Sequence, residues 1–100
     1  MPDKPWLRNY DPQVPPSLPP CEDHLYGMLA AAVERNPDGV ATLFYGARIR
    51  YRALKRLVDA FAGSLAALGV KRGDRVALIL PNFPAYPIAH FATLKLGALL

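Results

Sequence analysis

Apolar residues recur every three or four positions from Leu54 onward: Leu54, Leu57, Val58, Phe61, Ala62, Leu65 and Leu68. That spacing predicts an amphipathic helix about four turns long. Gly69 stands where a left-handed C-terminal cap belongs, with Val70 behind it for the usual apolar contact. A shorter stripe of the same period, Leu25, Leu29, Ala32 and Val33, stops before Asn36-Pro37-Asp38-Gly39, a dense turn signal. Between the two helical stripes the pattern changes. Val40–Tyr45 and Arg48–Tyr51 flank Gly46-Ala47, which predicts a hairpin with a type II′ turn. In its second strand Ile49 and Tyr51 face inward and Arg48 and Arg50 face water.

Past the turn Lys71-Arg72-Gly73-Asp74, the run Arg75–Leu80 carries five consecutive apolar residues without alternation. This is the pattern of a parallel-type strand covered on both faces. Pro81 ends it and Asn82 is placed to cap a helix, with Pro84 and Pro87 tolerable in its first turn. The stretch Ile88–Leu96 is apolar nearly all round and is expected to be buried, with His90 as its one polar interior group, bonded to a neighbouring carbonyl. Gly97 stops this helix, and Ala98-Leu99-Leu100 opens a second strand. Strand, covering helix and the first residues of a further strand make an α/β unit, expected to be an N-terminal piece of a larger layered domain.

Composition changes the picture at the N-terminus. Seven of the eleven prolines fall in the first twenty residues. Residues 1–23 therefore read as an extended Pro-rich arm, and residues 24–100 as the incomplete start of a domain. About eighty residues bury only some 60–65% of their unfolded surface. Yet 52% of the chain is hydrophobic, which implies faces made to be covered.

Charge and cysteine content narrow the setting. The net charge is +4, with most basic residues between Arg48 and Arg75. Their alternation with apolar residues is what a half-exposed strand and an amphipathic helix require, and no recognition helix or aromatic platform for nucleic acid accompanies them. The lone Cys21 excludes an intramolecular disulfide and fits a reducing compartment. The N-terminus has no signal-peptide pattern, and the apolar stretch from Val76 to Leu94 is broken by prolines, Asn82 and His90, so it does not read as a membrane span. A cytoplasmic location is expected.

Candidate chemistry is sparse. There is no Gly-rich phosphate loop, no metal-spaced Cys/His set and no nucleophile motif. Asp59 is expected to form a helix-surface ion pair with Arg56, and Asp74 is one acid in a turn. No residue is assigned a catalytic, cofactor-binding or metal-binding role.

The order of pieces carries more information than any one of them. Tyr51-Arg-Ala-Leu54, then Leu68-Gly-Val-Lys-Arg-Gly-Asp-Arg-Val-Ala-Leu-Ile-Leu-Pro-Asn82, then Leu94-Lys-Leu-Gly-Ala98 resemble the opening of the AMP-forming acyl-CoA synthetases and other adenylate-forming enzymes. The arm, with Pro5-Trp6, Tyr10 and Val14-Pro15-Pro16, and the segment Tyr86-Pro87-Ile88-Ala89 are similar to the long-chain fatty acid–CoA ligase branch. The resemblance implies a two-step reaction in which a fatty acid and Mg·ATP give acyl-adenylate and pyrophosphate, and coenzyme A then displaces AMP. It implies ATP, Mg2+ and CoA for the whole enzyme, a fatty acid substrate, a homodimer through this domain and peripheral contact with a membrane. The family's chemical motifs lie downstream, so this chain alone is expected to be inactive.

Two departures stand out. The family's usual Thr-Tyr-Xaa-Glu, a capping box, is here Arg50-Tyr51-Arg52-Ala53, at a cost of about 1 kcal/mol. Phe83 stands where a small residue is common. Two other readings stay open at this stage: a non-enzymatic interaction module left by a split ligase, and a small basic nucleic-acid binder.

Overall fold

A computed structural model describes residues 3–100. Helix α1 spans Leu25–Arg35, strands β1 and β2 span Val40–Phe44 and Ala47–Arg50, helix α2 spans Tyr51–Ala67 and helix α3 spans Ala85–Lys95. The strands form a two-stranded antiparallel sheet. The three helices pack on one another, α2 against α3 most extensively. The core is Leu29 of α1, Leu54, Val58 and Ala62 of α2, and Ala92 of α3. Val58 and Ala92 are wholly buried.

The arm lies against little of this. Its first two residues fall outside those described, and Pro5–Asn9 form one 3-10 turn within it. The radius of gyration is 17.6 Å, against about 13 Å for a compact chain of this length. Leu18 of the arm is almost fully exposed.

Helix α2 runs where its apolar spacing predicts, and buries a narrower stripe. Leu54, Val58 and Ala62 point into the core, whereas Leu57, Phe61 and Leu68 are exposed. In α1, likewise, Leu29 is buried and Leu25 is exposed. The missing capping box has a substitute. The N–H groups of Tyr51 and Arg52 donate to the carbonyls of Gly39 (2.9 Å) and Pro37 (3.1 Å). Two of the donors that a helix start leaves without partners are thus satisfied by the preceding turn. Arg52 also pairs with Asp38 at 2.8 Å, and Arg50 donates to the Asp38 carbonyl. At the other end Val70 N–H reaches Leu65 O and Gly69 N–H reaches Ala66 O, both at 3.0 Å, the two bonds of a Schellman cap.

The hairpin turn sits one residue earlier than Gly46-Ala47. Phe44 pairs with Ala47, so Tyr45 and Gly46 are the central residues. Both have positive φ, 49° and 82°, which makes the turn type I′ rather than II′. A register shift between Val40 and Thr42 leaves Ala41 as an extra residue. Tyr51 leaves the ladder to begin α2.

Arg75–Leu80 forms one parallel bridge, between Arg75 and Leu99, in place of a full strand. Val76 N–H donates to Leu99 O at 2.8 Å, and Leu99 N–H donates to Asp74 O at 2.7 Å. A ladder grows only as far as it has a partner, and Leu99 is the sole neighbour on this edge among the described residues. Val76 and Leu78 are half-buried while Ile79 is 91% exposed, so one face of the run is covered, not both.

Helix α3 is capped by Pro84, with no side-chain bond from Asn82. Pro87 falls in its first turn, where its missing N–H has no partner to lose. His90 is half-buried between rings, 5.2 Å from Phe91 and 6.4 Å from Tyr86, with no carbonyl partner among the described hydrogen bonds. Thr93 is wholly buried, and its hydroxyl donates to Ala89 O at 2.8 Å. This bond within its own helix satisfies the hydroxyl without an outside partner.

Candidate functional site

Three helices converge on one carboxylate. Asp59 Oδ1 accepts from the Tyr26 hydroxyl at 2.6 Å and from Lys95 Nζ at 2.8 Å; Oδ2 accepts from Lys55 Nζ at 2.9 Å. Lys55 comes from one turn earlier on α2, Tyr26 from α1 and Lys95 from the end of α3. Lys95 also stands 5.1 Å from the centre of the Tyr26 ring, within cation–π range. The ion pair expected with Arg56 is replaced by these partners. Partial burial works against the Asp59 charge, but the bonds from Lys95, Tyr26 and Lys55 outweigh it and hold the carboxyl far below the usual carboxylate range. The same bonds to Asp59 raise both lysines above their ordinary value. Every polar atom of Asp59 is engaged, so the cluster acts as a clamp rather than a proton-transfer site.

The loop before the parallel bridge is tied down in the same manner. Asp74 Oδ2 accepts from the Lys71 N–H at 2.9 Å, and Gly73 N–H donates to Gly97 O at 3.1 Å. Gly97 has φ 76°, and a Cβ there would stand 3.1 Å from Arg72 Cγ. The Gly-Asp-Arg-Val and Leu-Gly-Ala segments therefore meet, and each needs the other's backbone.

Among the described residues no three His, Cys, Asp or Glu side chains gather as metal ligands. Cys21 is exposed, and its thiol donates only to the Asp23 carbonyl among the described hydrogen bonds. A small cleft of about 170 Å³ between β1 and the start of α3 is lined mainly by Leu43, Phe44, Phe83 and prolines. Phe83 thus fills space beside the hairpin. Missed in the sequence were Tyr26, Lys55 and Lys95 as partners of Asp59. Lys55 had a signal, its four-residue spacing from Asp59; the other two are joined only by the fold.

Residues 29–100 match the family described as AMP-binding enzyme. The chain belongs to this family. The long-chain-fatty-acid–CoA ligase of Bacillus subtilis (strain 168) is 36% identical over 96% of this chain and 17% of that protein. The enzyme of the same name from Escherichia coli O6:H1 is 38% identical over 94% of the chain. The chain thus spans about 17% of the length of the curated relatives it matches. Among solved structures, Mycobacterium smegmatis MbtA has a TM-score of 0.74 at 36% identity, covering 78% of this chain and 15% of that one. The N-terminal subdomain of Klebsiella oxytoca NpsA, in complex with 3-hydroxybenzoyl-AMSN, has a TM-score of 0.72 at 31% identity, covering 74% and 19%. The α/β fold expected from the sequence is that of the opening of such a subdomain.

The described residues do not fit a catalytic site for ATP, Mg2+ or CoA. They hold no phosphate loop and no metal-ligand group, and the most strongly perturbed carboxylate is saturated by its own neighbours. No helix among them is long and apolar enough to cross a membrane.

Proposed function

We propose that the protein carrying this chain is an ATP-dependent long-chain fatty acid–CoA ligase, using Mg·ATP to form an acyl-adenylate and CoA to release it as a thioester. The observation that carries this is how far the likeness extends. The ligases of that name align over 94–96% of the chain, through the arm. Triostin synthetase I of Streptomyces triostinicus and the acetyl-coenzyme A synthetase of Magnetococcus marinus align over 72% and 73%. The role of this segment is scaffolding. It packs three helices through the Asp59 clamp and sets the bridge between Arg75 and Leu99, and it is inactive by itself.

Several parts of the proposal rest on the family likeness. The whole enzyme works in the cytoplasm, pairs as a homodimer through this domain, draws its fatty acid at a membrane surface and has no nucleic-acid partner. A chimera tests the central part. The aligned segment of the Bacillus subtilis ligase is replaced by this chain, and palmitate-dependent ATP–pyrophosphate exchange is measured. Retained exchange supports the reading. A soluble, folded chimera that shows no palmitate-dependent exchange overturns it.

A further inference from the structure

We infer that the cleft between the start of α1, the 71–74 loop and the end of α3 is an anion site, fitted to a phosphate monoester. It is the roomiest concavity among those described, about 500 Å³, and its polar lining is His24, Arg72 and Lys95. The three come from three separate segments, and nothing in the clamp or the core requires His24 or Arg72 there.

Each is held so as to leave a donor free. His24 caps α1: its Nδ1 accepts the Gly27 N–H at 2.9 Å. The neutral ring therefore carries its proton on Nε2, the edge left open to a ligand. Gly97 has no side chain, so the Arg72 stem lies against its backbone, and Arg72 has no acidic partner among the described residues. A guanidinium without a carboxylate is free to take two oxygens of a phosphate in parallel. Lys95 Nζ is held at 2.8 Å by Asp59, but Asp59 does not line the cleft. An ammonium has three donors, so one bond to Asp59 leaves others. Lys55 brings a further positive charge to the same carboxylate.

The acids nearby do not cancel this. Glu22 and Asp23 precede His24 but are exposed and outside the lining. Asp74 is turned to the Lys71 N–H. The cleft also lies at the positive end of the eleven-residue helix α1, which adds a small favourable field for an anion. A tetrahedral dianion matches one planar fork, one point charge and one ring N–H better than a carboxylate does.

The test is a 31P line-width titration of inorganic phosphate and, separately, of glycerol 3-phosphate, at constant ionic strength set with chloride. The His24 ring protons are followed in parallel. Binding is expected for either phosphate, with His24 shifts that chloride does not produce, and with affinity weakened about tenfold in Arg72→Ala. Tighter binding of glycerol 3-phosphate assigns the site to an organic monoester, and equal binding to free phosphate. Arg56→Ala, on the far side of α2, is the control and leaves affinity unchanged. Binding that survives Arg72→Ala, or His24 shifts reproduced by chloride, overturns the assignment. Arg72→Lys separates a fold defect from a lost ligand: it keeps the stem on Gly97 and the charge, and is expected to restore part of the affinity but not the preference for phosphate over chloride.

Discussion

The Tyr26 hydroxyl donates to Asp59 Oδ1 at 2.6 Å, joining α1 to α2 across 33 residues of sequence. With Lys95 on the same oxygen and Lys55 on the other, this one carboxylate orders the three helices around a core whose largest fully buried side chains are Val58 and Thr93. An apolar core this small leaves much to polar contacts at its rim.

Asp59→Asn is expected to destabilise the fold by about 1–2 kcal/mol. A hydrogen bond to a charged group is worth about 1.5–3 kcal/mol, and the half-exposed lysine pairs are worth less because water screens them. In a thermal melt this is a loss of about 4–16 °C. Tyr26→Phe is expected to lose a smaller part of the same amount.

The clamp predicts a pH dependence at both ends. Asp59 has a folded-state value far below its ordinary 3.8. Its contribution is therefore complete above that value and drains away as pH falls below it. Lys55 and Lys95 are raised above 10.5, so their contribution is complete below that value and is lost as pH rises past it. Denaturant midpoints of the parent and Asp59→Asn are expected to differ most near neutral pH and to converge toward pH 2 and again above pH 11.

Tyr45→Asn is expected to stabilise the hairpin by about 0.5–1 kcal/mol. Tyr45 has φ 49° and is 94% exposed. A bulky side chain is strained in that region, and Asn-Gly is the preferred type I′ pair. The substitution gives up only the edge contact with Phe44, at 4.5 Å. A rise in the urea midpoint checks this.

Gly97→Ala is expected to cost about 1–2 kcal/mol, from the left-handed backbone and from displacement of Arg72. Amide exchange at Gly73 and Leu99 reports it, since both bonds cross that junction. Slower exchange there than in the parent contradicts the account.

Periodicity made the helices legible and left their neighbours obscure. The spacing of Leu54, Val58 and Ala62 located α2, but only packing told them from Leu57 and Leu68. Glycine suits either turn type, so only the Phe44–Ala47 pairing places the turn at Tyr45-Gly46. The covering of Arg75–Leu80 depends on what lies beside it, which its own residues do not state. Thr93 is illegible as a buried polar group because a hydroxyl that bonds its own helix gives no polar signal. The family was legible in a set of turn and strand segments, Gly73-Asp74 and Leu96-Gly97-Ala98, whose backbones meet in the fold.

The central claim is that this segment is scaffold and carries none of the ligase chemistry. Pyrophosphate release by the purified 100-residue chain with Mg·ATP, palmitate and CoA tests it most directly. The account predicts release no greater than in a blank without protein. Release that rises with palmitate and survives repurification contradicts it.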